Sequence, residues 1–68
     1  MKIVLNGEKT DIPKSLSVSA LLLHLHVDPS RVAIEINRQL IRKTSWEETM
    51  IQPDDEIEIV HFVGGGRF

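Results

Sequence analysis

Cysteine is absent from the 68 residues, which excludes disulfides, cysteine zinc sites, iron–sulfur clusters and thiol catalysis. Positive charge is not in excess: eight Lys plus Arg stand against ten Asp plus Glu, a formal net charge of −2. Non-specific nucleic-acid binding rests on positive charge, so whole-molecule attraction to phosphate backbones is not expected. Long apolar runs are missing too. The longest, residues 20–23, is stopped by His24 and is far too short to span a bilayer. Ile3-Val4-Leu5 before Asn6 is too short for a signal peptide, so a cytoplasmic protein is expected. Size is also lacking. A chain of this length has room for one core and buries only roughly 60% of its unfolded surface. Several catalytic groups around a substrate pocket are hard to fit in such a body, which favours a carrier or binding role over an enzyme.

What is present, 41% apolar and 26% charged residues, describes an ordinary globular chain. Residues 2–6 read as a strand, and Asn6-Gly7 is a strong hairpin signal because a type I′ turn needs positive φ at both central residues. Residues 8–12 return antiparallel until Pro13, which lacks a backbone donor. The period then changes. Val18, Leu21, Leu22 and Leu25 recur at i, i+3, i+4 and i+7, the stripe of an amphipathic helix over 16–26. Ser17 suits its N-cap, Leu16 and Leu21 form a hydrophobic-staple pair, and Asp28-Pro29 marks the stop.

Residues 32–36 alternate, with Val32, Ile34 and Ile36 inward. Asn37-Arg38 makes a turn, and 39–42 form a short edge strand. Residues 45–49 read as one helical turn in which Trp46 plugs the edge of the core. Pro53-Asp54-Asp55 is a turn, and 56–63 form the last strand with Ile57 and Ile59 facing the core. The order β-β-α-β-(β)-β supplies one helix for the whole sheet, so four or five strands must wrap around it. This is an α+β fold, the ubiquitin-like β-grasp with a mixed sheet. Residues 1–63 are expected to form the domain and 64–68 a flexible glycine tail.

Chemistry-bearing residues are few. His24 and His26, two apart on a helix, point about 200° from each other and cannot chelate one ion, and His61 has no ligand-spaced neighbour. The serines are absorbed by caps and turns, and the carboxylates are scattered. No cofactor or metal is expected on this chain. Arg38, Arg42 and Lys43 make a local basic cluster, either a solvated loop or a contact for an acidic partner surface. Val60 and Phe62 alternate with Ile57 and Ile59. They form either an exposed docking patch or, through a bulge, part of the core. Gly64-Gly65-Gly66 leaves too few residues behind it for the helix that a phosphate loop requires. It reads instead as a side-chain-free thread for a narrow channel in another protein.

Leu5-Asn6-Gly7, the helix 18–25, Val32-Ala33-Ile34-Glu35-Ile36-Asn37, Trp46 and the stretch Asp55-Glu56-Ile57-Glu58-Ile59-Val60-His61-Phe62-Val63-Gly64-Gly65-Gly66 together resemble the ThiS family, the sulfur carriers of thiamine biosynthesis. The likeness covers residues 1–66. Lys43 stands where the family usually has arginine, Asp54 where it has glycine, and Arg67-Phe68 extends beyond the usual Gly-Gly end. The resemblance implies a protein substrate rather than an enzyme. A ThiF-like adenylyltransferase would use ATP and Mg²⁺ to activate the Gly66 carboxylate, with Gly64 and Gly65 as the thread. A sulfur donor enzyme would convert that carboxylate to a thiocarboxylate, and a ThiG-like thiazole synthase would accept the sulfur. The same resemblance implies a precursor from which a protease removes Arg67-Phe68. Two alternatives are a sulfur carrier like the small subunit of molybdopterin synthase and a non-catalytic β-grasp binding module.

Overall fold

The computed structural model describes residues 1–62. Asn6 (φ 49°) and Gly7 (φ 83°) adopt the positive φ pair that the hairpin demands, joining β1 (Lys2–Leu5) to β2 (Glu8–Asp11) with Leu5 opposite Glu8. Asn37 (φ 52°) and Arg38 (φ 71°) repeat that conformation without a glycine, joining β3 (Val32–Ile36) to the edge strand β4 (Gln39–Ile41). The turn is held from outside: Asn37 Oδ1 accepts from the Glu56 N–H at 3.0 Å, and Asn37 Nδ2 donates to Asp55 at 3.1 Å. Asp54 sits at φ 69°, a conformation that Asp reaches at modest cost. Its N–H donates to the Lys2 carbonyl at 2.7 Å.

The helix α1 (Val18–His24) starts as its sequence requires, with Ser17 Oγ accepting from the Ala20 N–H at 3.1 Å. The other first-turn donors reach a distant loop: Val18 N–H donates to Thr49 and Ser19 N–H to Trp46. The helix ends earlier than Asp28-Pro29 suggests. His26 takes φ 59°, its N–H donates to Leu23, and Val27 N–H donates to Leu22. These paired bonds are a Schellman stop, with histidine in the place glycine usually takes. Asp28 instead caps a 3₁₀ turn at Pro29–Arg31. The helical turn expected at 45–49 begins earlier, as a 3₁₀ turn at Lys43–Ser45.

The last strand, β5 (Glu56–His61), stops before Phe62, and position 63 of the expected 56–63 lies outside the described residues. It enters the middle of a five-stranded sheet of order β2-β1-β5-β3-β4, parallel to β1 and antiparallel to β3. The mixed sheet around one helix is the β-grasp. Val18, Leu21 and Leu22 are buried with Ile3, Ile34, Ile36, Ile57, Ile59 and Trp46 in one core. Leu25, expected in that stripe, follows the last helical residue as the C-cap and is only partly buried. Ile12 and Ile51 join the core at 2% and 0% exposure, Ile12 just past the end of β2 at Asp11 rather than within the expected strand 8–12.

Candidate functional site

Alternation along β5 sends Ile57 and Ile59 into the core and leaves Glu58 and Val60 outside. No bulge turns Val60 or Phe62 inward: they are 45% and 43% exposed. Antiparallel register sets Ala33 against Val60, Glu35 against Glu58 and Glu35 against Leu40. Directly paired residues share a face, so Ala33, Glu35, Leu40, Glu58 and Val60 lie together on the side away from the core. Among the described residues α1 is the one α-helix, and it packs on the inner side, so no helix covers this outer face.

Two chemically distinct hollows lie beside this face. One, of about 260 Å³, is lined by Glu35, Glu56, Glu58 and Arg38, with Arg38 Nε 3.9 Å from Glu56 Oε1. The other, of about 230 Å³, lies at the β4 edge of the sheet, where the buried Val32 and Trp46 meet the outward Ala33, Leu40 and Phe62, with Arg42 and Lys43 on its rim. Trp46 is fixed there by its indole N–H, which donates to the Ile41 carbonyl at 2.9 Å. Lys43 Nζ stands over the ring at 5.7 Å from its centroid. The basic cluster read from the sequence is therefore divided: Arg42 and Lys43 share a hollow with Phe62, whereas Arg38 lies among glutamates. Sequence reading missed Leu40, which is 67% exposed; its signal was a large apolar residue on a short edge strand.

The root of the glycine segment is firmly held. β5 is flanked by β1 and β3, His61 pairs with Val32, and the Phe62 N–H donates to the Arg31 carbonyl at 3.0 Å. An Asn6 side-chain oxygen accepts from the Ile59 N–H at 2.8 Å, tying the first hairpin to the last strand. Gly64, Gly65 and Gly66, with the expected tail, lie outside the described residues. Among the described residues no three His, Asp or Glu are grouped to hold a metal ion. None of the described helices is long and apolar enough to cross a membrane.

This fold has relatives. A family model, that of the ThiS family, matches residues 3–66. The chain belongs to the ThiS family. The ThiS-family match runs through the glycine segment to Gly66. The crystal structure of the thiamine biosynthesis protein ThiS from Geobacter metallireducens superimposes with a TM-score of 0.86 at 29% identity, covering 97% of this chain and 100% of that one. The sulfur carrier protein ThiS of Bacillus subtilis is 36% identical over 63 residues, 91% of this chain and 96% of its own length. A thiazole synthase of Paramagnetospirillum magneticum is 42% identical over 66 residues, 97% of this chain. The chain spans only 20% of that enzyme's length.

Proposed function

We propose that this chain is a sulfur carrier of thiamine biosynthesis and acts as a substrate of partner enzymes rather than as an enzyme. The observation that carries this reading is the ThiS-family match continuing to Gly66 beyond a last strand anchored at the centre of the sheet. A carboxylate is a poor electrophile. A ThiF-like adenylyltransferase would join the Gly66 carboxylate to the α-phosphate of ATP, with Mg²⁺, releasing pyrophosphate. The terminal sulfur of a persulfide on a donor enzyme would attack the acyl carbon and AMP would leave. A thiol would then cleave the S–S bond, giving the thiocarboxylate. Gly64 and Gly65 would thread the partner's channel, since they bring no side chain. ATP and Mg²⁺ belong to the partner, and no step calls for a metal, nucleic acid or membrane site on this chain.

A ThiG-like thiazole synthase is the proposed acceptor of the sulfur, supported by the thiazole synthase whose sequence contains a region like this chain. Val60 and Phe62, exposed beside the root of the glycine segment, would dock on the partners. These steps belong in the cytoplasm, where ATP is available. Because the reacting carboxylate is that of Gly66, a protease must first remove Arg67-Phe68. Two added residues displace a chain end by about 7 Å, and a misplacement of about 1 Å already costs roughly a hundredfold in rate.

The test is intact mass after incubation with the adenylyltransferase, MgATP and a persulfide donor. A chain ending at Gly66 should gain the difference between sulfur and oxygen, and the chain ending at Phe68 should not. An unchanged mass for both would leave a non-catalytic binding module. Equal pyrophosphate release from both would remove the processing step.

A further inference from the structure

The hollow between Leu40, Trp46 and Phe62 has chemistry of its own. At about 230 Å³ it falls below the range of small-molecule sites, which begins at about 300 Å³, and is of a size for one large side chain. Its walls are apolar, and no carboxylate lines it. Arg42 and Lys43 stand on the rim, and among the described residues neither pairs with a carboxylate. The neighbouring hollow is the reverse, with Glu35, Glu56 and Glu58 and a single cation, Arg38. A segment crossing the outer face toward the β4 edge therefore meets the acidic hollow first and the apolar, cationic one at that edge.

We propose that the Trp46 hollow receives a bulky apolar side chain from a protein partner, flanked in the partner's sequence by carboxylates that meet Arg42 and Lys43. This deepens the reading that the outer face docks partners and rests on it. The apolar contact supplies the anchor, while the rim charges govern encounter rate and orientation. Opposed sockets give the docked segment one direction, which a purely apolar patch would not.

The chain has one tryptophan, so the indole N–H of Trp46 is an unambiguous reporter in ¹⁵N-resolved spectra. The probes are two capped tripeptides, glutamate-phenylalanine-glutamate and lysine-phenylalanine-lysine, titrated into the full chain. The acidic peptide should shift the Trp46 indole and the Leu40 and Lys43 amides saturably. The basic peptide should bind about three- to tenfold more weakly, the scale of two exposed ion pairs. The double variant Arg42→Glu, Lys43→Glu changes only exposed side chains and should reverse that order while keeping its dispersed spectrum. Equal binding of both peptides, absence of a Trp46 shift, or shifts centred on Glu35 and Arg38 would each overturn the proposal. So would a Trp46 shift that depends on protein concentration without peptide, because a second copy would then fill the hollow. The mass assay reads the carrier function separately: sulfur loading without a peptide preference sinks the socket alone, and a preference without loading sinks the carrier alone.

Discussion

The two faces of the sheet come from the same strands, yet they obey different rules. On the inner face Ile3, Ile34, Ile36, Ile57 and Ile59 are at most 8% exposed, and each large side chain removed from water contributes about 1.5–3 kcal/mol. On the outer face Leu40, Val60 and Phe62 remain in solvent, and Glu35 stands directly opposite Glu58, a like-charge pair that destabilises a sheet. An arrangement made only for stability would not keep that pair. The difference teaches that burial against α1 sets the stability of this domain, whereas the uncovered side is free to carry surface suited to recognition.

The comparison can be broken most forcefully from the inside. Leu22, 1% exposed, contributes to both helix and core, and Leu22→Ala should cost about 2–5 kcal/mol through the cavity it leaves. In a domain this small that is much of the total stability. A chemical denaturation curve with an unchanged midpoint would contradict the assigned core. Phe62→Ala tests the other side. It should weaken binding to the proposed adenylyltransferase partner, measured by calorimetry, by about 1 kcal/mol or more, with a smaller loss of stability than Leu22→Ala. Unchanged binding, or simple unfolding, would move Phe62 into the structural class.

A change of opposite sign would sharpen the contrast further. Glu58→Thr removes the repulsion with Glu35 and places a good strand former in the middle of β5. The gain should be about 0.2–1 kcal/mol, read as a higher melting temperature and smaller at high salt. A loss of stability would show that the acidic strip supports the sheet.

The smallest effect belongs to Asp28, which lies on neither face. The Ser30 backbone N–H at 3.0 Å, then the Ser30 hydroxyl at 2.8 Å, hold its carboxyl below the ordinary value of 3.8, with Arg31 assisting. A pKa depressed by folding adds stability above the unfolded-state value and loses it as pH falls through the folded-state value. The deficit in melting temperature of Asp28→Asn should therefore be present at neutral pH and close at a pH below 3.8. A deficit that persists there would assign the effect to something other than charge.

Much of this molecule was legible locally. Asn6-Gly7, Ser17 and the alternation of 32–36 each express a constraint that acts within a few residues: positive φ, an orphaned amide, a pleat with period 2. The helix end was not legible, because His26 adopts the left-handed conformation without a glycine to announce it. Ile12 and Ile51 were missed for a related reason. Ile12 was read only as the end of the strand 8–12, which stops at Asp11, and Ile51 lies in irregular chain; both are buried where Met1 pairs with Ile12 and Leu16 with Ile51 through backbone hydrogen bonds. Val60 and Phe62 were legible singly as candidates for exposed apolar residues, but not the surface they share with Leu40.

By itself the sequence determined the turns, the helix start and which positions of each strand are apolar, since those depend on neighbours in the chain. Through its last stretch to Gly66, it also carried the family. Only the tertiary structure decided that β5 inserts between β1 and β3, bringing Val4 beside Glu56. It also decided that Arg38 parts from Arg42 and Lys43, and that residues 30, 32–33, 40–43, 46 and 62 close around one hollow. Those outcomes depend on long-range pairing and on one helix covering one face. No local pattern encodes either, because alternation says that a strand has two sides but not which side will find a partner.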